Sequence, residues 1–346
     1  MRNARRDGSH ARWRTVTAAA EGLRWAVIGT GKISDSFASD IRAAEGTITR
    51  AWGRDPERLA GFARRHETVV TTDLAAVLAA DDVDIAYIAT PAATHAALAV
   101  QLLSAGKHVL VEKPMAMSDA EAAEVFDCAT AHGRFAMEGM WMKFNPLHRE
   151  VMRRALSGDF GELSHVRGGF GAPFPPGGSR WSAELGGSVI LNQAIYTTTL
   201  ATWALGPVTG VEATGQVRDG VDVSAALTLR HESGLSQAAV SALAFVDPTA
   251  AVSGSRGWAS IEGMFWAGHR ARIHSGDVPA LFERPEELAL PLEGHGYTPM
   301  IRSVHEAVRS GQLQHPEHDA DATLSVLAVL AEARTQIFRA AGQGSR

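Results

Sequence analysis

The segment that most constrains the fold is a glycine-containing turn near residue 29. An apolar run at 24–28 leads into GTGKIS at 29–34, after which Ile33, Phe37 and Ile41 recur every four residues. Apolar residues at that spacing line one face of a helix, whereas the short apolar run suits a buried strand. The segment therefore predicts a strand, a tight turn and a helix, the unit from which parallel sheets are built.

The same alternation of strand and helix continues along the next hundred or so residues. Further strands are predicted near 47–53, 84–90, 108–112 and 134–138, with amphipathic helices between them. The run at 84–90 is apolar almost throughout, as expected when helices cover both faces of a parallel sheet. We therefore predict a doubly wound parallel sheet of the Rossmann type over residues 23–143.

The pattern changes after residue 143, where Asn145-Pro146 is typical of a helix start. Long helices are predicted over 187–204, 298–310 and 320–341. Extended segments with turn signals run from 208 to 275, which favours antiparallel pairing. We expect residues 144–346 to form an α+β domain with a large, mostly antiparallel open sheet, so that the whole chain is α/β in class.

Charge and composition exclude several functions. The net charge is −5, which does not favour nucleic acid as a partner, and no apolar run is long enough to cross a membrane. A single cysteine excludes an intrachain disulfide framework, so we expect a soluble protein in the cytoplasm. Residues 1–22 are interpreted as a flexible basic arm. His315 and His318 lack a third metal ligand, so we interpret them as a surface loop and predict no metal site.

The turn at 29–34 suits the phosphates of a dinucleotide. Gly29 permits the tight bend, Gly31 lets a pyrophosphate approach the backbone, and the first amides of the following helix bind phosphate oxygens. Ser34 stands at the third glycine position of the usual pattern. We expect cofactor contacts from Gly29, Thr30, Gly31, Lys32 and Ile33. The alternative is an ordinary strand-to-helix turn.

The end of the second strand indicates which dinucleotide binds. An acid usually stands there to bind the ribose of NAD, but this chain has Arg54. A guanidinium at that point suits the 2′-phosphate of NADP and can stack on the adenine. Asp55 is better placed to cap the helix that begins near Pro56. We therefore expect NADP rather than NAD, the alternative being that Arg54 is an ordinary surface residue.

Two further segments carry residues with possible catalytic roles. Glu112-Lys113-Pro114 ends a buried strand, on the side where ligands bind in open α/β sheets. Asn192 and Tyr196 are four residues apart and share one face of a helix, where a phenol could transfer a proton. A surface lysine and a core tyrosine are the alternatives. Thr90, Pro91 and His95, together with Glu112 and Lys113, complete the expected cofactor contacts.

These motifs together resemble the Gfo/Idh/MocA oxidoreductases. GTGKIS, the EKP at 112–114 and the Gly-Gly…Asn…Tyr helix at 186–196 carry the likeness. EGMW at 138–141, Arg180-Trp181 and ELGG at 184–187 resemble its dimeric dihydrodiol dehydrogenase and NADP-dependent D-xylose dehydrogenase branch. The resemblance implies that Lys113 is catalytic and Tyr196 the acid/base. It places Trp141 and Arg180 beside the substrate, although Trp141 could equally serve core packing.

The resemblance also implies a homodimer or homotetramer formed through the C-terminal sheet. One departure stands out, because the family usually has Asp and Gly where this chain has Asn192 and Gln193. Asn192 cannot supply a negative charge to a substrate hydroxyl, so the substrate could differ from that of the relatives.

Hydride transfer between NADP(H) and a hydroxyl or ketone carbon of a small cyclic polyol or sugar is the function predicted. The candidates are an aldose, a trans-dihydrodiol or a keto-sugar. A nucleotide-sugar ketoreductase is a second possibility. A non-catalytic NADP-binding regulator, suggested by Asn192 and Gln193, is a third.

Overall fold

The computed structural model describes residues 22–343 of the chain. Within that range the N-terminal part contains six parallel strands, in the spatial order β3-β2-β1-β4-β5-β6. This order reverses direction beside β1, as in a doubly wound Rossmann sheet, and confirms the predicted fold. The strands are β1 (Arg24–Ile28), β2 (Thr47–Trp52), β3 (Val69–Thr71), β4 (Ile85–Ile88), β5 (His108–Val111) and β6 (Ala136–Glu138).

Helices connect these strands, and polar caps fix where several of them begin. Asp55 caps the helix that starts at Pro56, because its carboxylate accepts hydrogen bonds from the next turn of backbone, as predicted. Ser118 similarly accepts a hydrogen bond from the Glu121 backbone N–H. The helices are α1 (Lys32–Ala43), α2 (Pro56–His66), α3 (Leu74–Leu78), α4 (His95–Ser104) and α5 (Asp119–Ala131).

The second part is built on another sheet, which contains eight strands in the portion of the chain that the structure describes. Neighbours pair antiparallel except β7 and β10, which run parallel, so the predicted mostly antiparallel sheet is confirmed. Its strands are β7 (Leu163–Gly171), β8 (Val208–Arg218), β9 (Val221–His231), β10 (Leu235–Ser241), β11 (Ala250–Gly254), β12 (Gly257–Ile261), β13 (Arg270–Ser275) and β14 (Glu286–Ala289).

Helices cover one face of this second sheet. The helices of the second part are α6 (Pro146–Leu156), α7 (Ile195–Leu205), α8 (Val278–Phe282), α9 (Thr298–Arg309) and α10 (Ala320–Gln343), of which α9 packs on α1 of the first part. α7 packs on β7, while α10 packs on β8 and also reaches α5 of the first part. Along β10 the side chains alternate, with Ser236, Ala238 and Val240 buried and Leu235, Gln237 and Ala239 exposed. The exposed set belongs to the uncovered face.

Three sequence predictions need comment. The helix predicted over 187–204 begins as a π-helical turn, Ile190–Ala194, before α7. The predicted basic arm, except for Gly22, lies outside the described residues. No helix between residues 22 and 343 has both the length and the apolar character required to span a membrane.

Candidate active site

The turn after β1 has the geometry that a bound pyrophosphate requires. Gly29 has a φ of 96°, and a Cβ there would lie 2.7 Å from the carbonyl oxygen of Ala89, so only glycine fits. Gly31 precedes α1, and a Cβ there would meet nothing within 4 Å. The turn therefore leaves open space in front of the first amides of α1, where an anion is stabilised.

A groove of about 620 Å³ runs from this turn over the end of β2. Arg54 is exposed and lines the groove. Asp55 instead accepts hydrogen bonds from the backbone of Glu57 and Arg58, at 3.0 and 3.1 Å. The groove thus presents a guanidinium where a ribose-binding acid would otherwise stand. Its other predicted contacts are Gly29, Thr30, Gly31, Thr90 and Pro91.

His95 holds two backbone segments together beneath the cofactor side of the sheet. One ring nitrogen lies 2.8 Å from the carbonyl oxygen of Thr90, and the other lies 2.8 Å from that of Pro114. Burial lowers the pKa of the imidazole, although both carbonyl oxygens oppose this change. Because both nitrogens are engaged by the backbone, His95 would support a cofactor by positioning these segments.

The predicted catalytic and substrate residues meet in a second, deeper cavity of about 410 Å³. The Nζ of Lys113 donates a hydrogen bond to the carbonyl oxygen of Asn192 at 2.8 Å and lies 4.9 Å from the centre of the Tyr196 ring. The end of β5 and the helix at 190–205 are distant in sequence but adjacent here. The predicted residues around it are Lys32, Ile33, Glu112, Lys113, Trp141, Arg180, Asn192 and Tyr196.

Tyr196 is placed to act on a proton. Its side chain is buried, and burial raises the pKa of the phenol far above its ordinary value, with the charge of Glu112 adding to the effect. The indole N–H of Trp141 donates a hydrogen bond to the phenolic oxygen at 3.1 Å and opposes that rise in pKa. The phenol is therefore protonated at neutral pH, and its oxygen is held in place.

A buried carboxyl group lies beside Lys113. Burial raises the pKa of Glu112 to about 7, against the attraction of the Lys113 ammonium. The hydroxyl of Tyr87 donates a hydrogen bond to Glu112 Oε2 at 3.2 Å. Burial lowers the pKa of Lys113, while Glu112 acts in the opposite direction. Glu112 therefore helps to keep the lysine protonated at the edge of the cavity.

The two departures from the family pattern have different surroundings. Asn192 lines the cavity, and its side-chain amide donates a hydrogen bond to the carbonyl oxygen of Ser188 at 2.8 Å. Gln193 is fully buried, and its amide nitrogen lies 3.4 Å from the carbonyl oxygen of Ser241 at the end of β10. Asn192 can therefore contact a substrate, whereas Gln193 packs between the helix and the second sheet.

Three aromatic side chains of the cavity, Phe170, Trp266 and Tyr297, were not predicted from the sequence. The rings of Phe170 and Trp266 are stacked with centroids 3.5 Å apart, and Tyr297 packs against Trp141 with centroids 5.0 Å apart. Tyr297 is fixed because the buried carboxylate of Asp40 accepts a hydrogen bond from its backbone N–H at 2.8 Å. The one sign of this contact in the sequence is the position of Asp40, an acidic residue beside the apolar Ile41 in α1.

His318 does not lie in a surface loop, so that prediction was wrong. Its side chain is 1% exposed, and its Nε2 lies 2.9 Å from Oε2 of Glu138, which is equally buried. The other oxygen of Glu138 accepts a hydrogen bond from the backbone N–H of Met115 at 2.9 Å. The polar sequence around His318 could not show that this loop folds back over β6. Residues 22–343 contain no cluster of three or more potential metal ligands.

Comparison with known families agrees with this architecture. Residues 23–140 match the model of the oxidoreductase family with an NAD-binding Rossmann fold, and residues 148–260 match the GFO/IDH/MocA C-terminal domain. The first match covers the six-stranded sheet, and the second covers β7 to β11 of the other sheet together with Arg180, Asn192 and Tyr196 of the cavity.

Individual relatives point the same way. The chain is 32% identical over 255 residues to trans-1,2-dihydrobenzene-1,2-diol dehydrogenase of Sus scrofa, covering 70% of this chain and 75% of that one. It is 38% identical over 135 residues to scyllo-inositol 2-dehydrogenase (NADP(+)) IolU of Bacillus subtilis, covering 38% of this chain and 40% of that one.

A solved structure extends the likeness to three dimensions. It is KijD10, a 3-ketoreductase from Actinomadura kijaniata in complex with NADP and TDP-benzene, which superimposes with a TM-score of 0.78 at 27% identity. The match covers 91% of this chain and 97% of that one. The chain belongs to the Gfo/Idh/MocA family of oxidoreductases and is an enzyme of the dehydrogenase and reductase type that acts on CH–OH groups.

Proposed function

We propose that this enzyme is an NADP-dependent dehydrogenase or reductase that interconverts a hydroxyl and a ketone on a small cyclic polyol or sugar. The observation that carries the proposal is the meeting of Lys113 and Tyr196 in one cavity beside the glycine turn. The relatives named for dihydrodiol, inositol and keto-sugar substrates support the same substrate class.

The residues of the groove fit NADP. The space in front of Gly31 would hold a pyrophosphate, and Arg54, which lines the same groove after β2, would bind the 2′-phosphate of the adenosine ribose. A relative and a structural neighbour named with NADP add support. When bound, the nicotinamide supplies or accepts the hydride.

Tyr196 would donate the proton when a ketone is reduced. Its raised pKa keeps the phenol protonated until a neighbouring oxygen gains negative charge. The hydrogen bond from Trp141 occupies one acceptor site on the phenolic oxygen, which leaves the phenol's own hydrogen available to the substrate. In the oxidative direction the same oxygen would accept the hydroxyl proton.

Lys113 would stabilise the negative charge that forms on either oxygen. Its ammonium lies at the ring of Tyr196 in a half-buried position, where a charge is weakly screened. The carbonyl oxygen of Asn192 orients one of its three hydrogens and leaves the others for the substrate and the phenolate. Glu112 keeps the ammonium protonated.

A nucleotide-sugar ketoreductase remains a second candidate, since KijD10 is a 3-ketoreductase bound to TDP-benzene. Tight binding of a nucleoside diphosphate to the purified protein would favour it.

We further propose that two copies associate through the uncovered face of the second sheet, as the family resemblance implies. Light scattering of the purified chain would test this.

A fluorescence titration with NADPH and with NADH tests the cofactor assignment. We expect a dissociation constant for NADPH at least about tenfold below that for NADH, because a guanidinium–phosphate contact contributes roughly 1.5–3 kcal/mol. Arg54→Gln should remove most of the difference by weakening NADPH alone.

Arg64→Gln is the matched control, since Arg64 is exposed on α2, the helix that follows Arg54, and lies outside the groove. Equal affinity for the two cofactors in the wild-type protein would contradict the assignment. So would an unchanged ratio in Arg54→Gln.

A further inference from the structure

Arg180 is a partly buried cation in the cavity with no acid assigned to it. Its guanidinium carbon lies 3.7 Å from the centre of the Phe174 ring. Burial lowers its pKa, and no acidic side chain within residues 22–343 forms a salt bridge with it. A guanidinium that loses water without gaining a partner is costly. The position therefore points to an anion supplied by a ligand.

The side chains that line the cavity carry more positive than negative charge. Three cations line it, namely Lys32, Lys113 and Arg180, against the single carboxyl group of Glu112 among the described lining residues. Lys32 opens α1, where the pyrophosphate of the cofactor would lie. Glu112 adjoins Lys113 and is bonded to Tyr87. Arg180 is thus the cation of the cavity for which the described lining residues supply no acidic partner.

Asn192 makes the substrate side of the cavity more favourable to an anion. The side chain is neutral, and its amide is already bonded to Ser188. A carboxylate at this position would line the same cavity and repel a negatively charged substrate. The neutral Asn192 and the unneutralised Arg180 therefore act in the same direction.

The aromatic residues that line the cavity indicate the shape of the uncharged part of the substrate. Phe170, Trp266 and Trp141 line the cavity, and aromatic side chains of this kind pack against the C–H face of a ring. The cavity also has to hold the nicotinamide, so one ring of the size of a monosaccharide is what fits beside Tyr196.

We propose that the substrate is a single-ring hydroxy or keto compound that carries a carboxylate or phosphate, and that Arg180 binds this anionic group. The inference rests on the proposed function and narrows it. Reduction consumes the ketone, NADPH and one proton, and yields the alcohol and NADP⁺, while the anionic group stays unchanged. The stacked, planar guanidinium suits two parallel hydrogen bonds to such a group.

Matched substrates test the proposal. D-glucose, D-glucuronate and D-glucose 6-phosphate share a ring and differ in charge, and UDP-glucose adds a diphosphate with a nucleoside. Turnover is followed as NADPH formation, and binding as quenching of tryptophan fluorescence in the presence of NADP⁺. We expect at least about tenfold tighter binding, and higher kcat/KM, for an anionic member than for D-glucose. Preference for D-glucuronate would identify the anionic group as a carboxylate, and preference for D-glucose 6-phosphate would identify it as a phosphate.

Variants assign the preference to Arg180. Arg180→Gln should weaken binding of the anionic member by about 10- to 100-fold. The dissociation constants of D-glucose and of NADPH should stay within about threefold of their wild-type values. Arg180→Lys should recover part of the loss. Arg58→Gln, which alters the adenosine groove, should weaken NADPH without changing the preference for charge.

Several results would overturn the proposal. One is equal binding of neutral and anionic rings by the wild-type protein. Another is an Arg180→Gln variant that loses NADPH affinity, which would assign Arg180 to the cofactor. Turnover of neutral rings without a preference would leave the proposed function intact, whereas failure to bind NADPH would remove the proposed function itself.

Discussion

The hydrogen bond from Trp141 to Tyr196 can be tested by one conservative substitution. The indole N–H lies 3.1 Å from the phenolic oxygen, and the indole ring packs on Tyr297 with centroids 5.0 Å apart. Trp141→Phe keeps an aromatic ring against Tyr297 but removes the donor. The variant should therefore fold, yet leave the phenolic oxygen without its partner.

The expected loss follows from the charge that Tyr196 acquires. When a ketone is reduced, the phenol gives up its proton and becomes a phenolate, and a hydrogen bond to a charged group contributes about 1.5–3 kcal/mol. That free energy corresponds to roughly a 10- to 150-fold lower rate. Because the phenol is neutral before the proton moves, kcat should fall much more than the KM for the ketone changes.

The pH dependence gives a second readout. Trp141 lowers the pKa of Tyr196, which burial raises. Removing the donor should raise that pKa further, so the increase of the oxidation rate with pH should move to higher pH in Trp141→Phe. The assay is the rate of NADP⁺ reduction across pH, with the dissociation constant of NADPH measured in parallel.

A double-mutant cycle supplies the control. In a Tyr196→Phe background there is no phenol to stabilise, so adding Trp141→Phe should lower the residual rate by less than about threefold. Trp258→Phe, in β12 and stacked on His274, removes an indole N–H away from the cavity and should leave the rate unchanged. A wild-type rate in Trp141→Phe, or equal losses in both backgrounds, would refute the role given to Trp141.

Two further predictions concern catalysis and stability. Lys113→Ala should lower kcat at least about 100-fold while the melting temperature stays close to wild type, and retained turnover would contradict the mechanism. His318→Leu should lower the free energy of unfolding by about 1–3 kcal/mol in urea titrations, because it leaves Oε2 of the buried Glu138 without its hydrogen-bond partner. Adding Glu138→Gln should recover part of the loss, and a change below about 1 kcal/mol for His318→Leu alone would contradict a stabilising contact between the two side chains.

The site residues that could be predicted from the sequence are those whose position depends on the strand and helix next to them. The turn at Gly29 and Gly31 is fixed by the strand before it and the helix after it. Lys113 follows a buried strand, and parallel strands end at one edge of a sheet, so its place near the cofactor groove could be expected. Tyr196 was assigned to the same site only through the family resemblance. Its spacing from Asn192 shows that the two share a helix face, but not what that face contacts.

The parts that escaped prediction depend on contacts between distant segments. Tyr297 reaches the cavity because Asp40, far earlier in the chain, binds its backbone. His318 is buried because Glu138 lies across from it. Neither contact leaves a periodic pattern in the sequence, since each arises when loops from one half of the chain fold onto the other.

The central claim is that this protein transfers hydride between NADP(H) and a ring carbon with the help of Lys113 and Tyr196. The most direct test is incubation with NADPH deuterated at the transferable position of C4 and a panel of neutral and anionic cyclic ketones, followed by mass spectrometry. The account predicts one deuterium on the new alcohol carbon with wild-type protein, and none above background with Lys113→Ala. NADPH binding without deuterium transfer to any ketone, or equal transfer by Lys113→Ala, would contradict it.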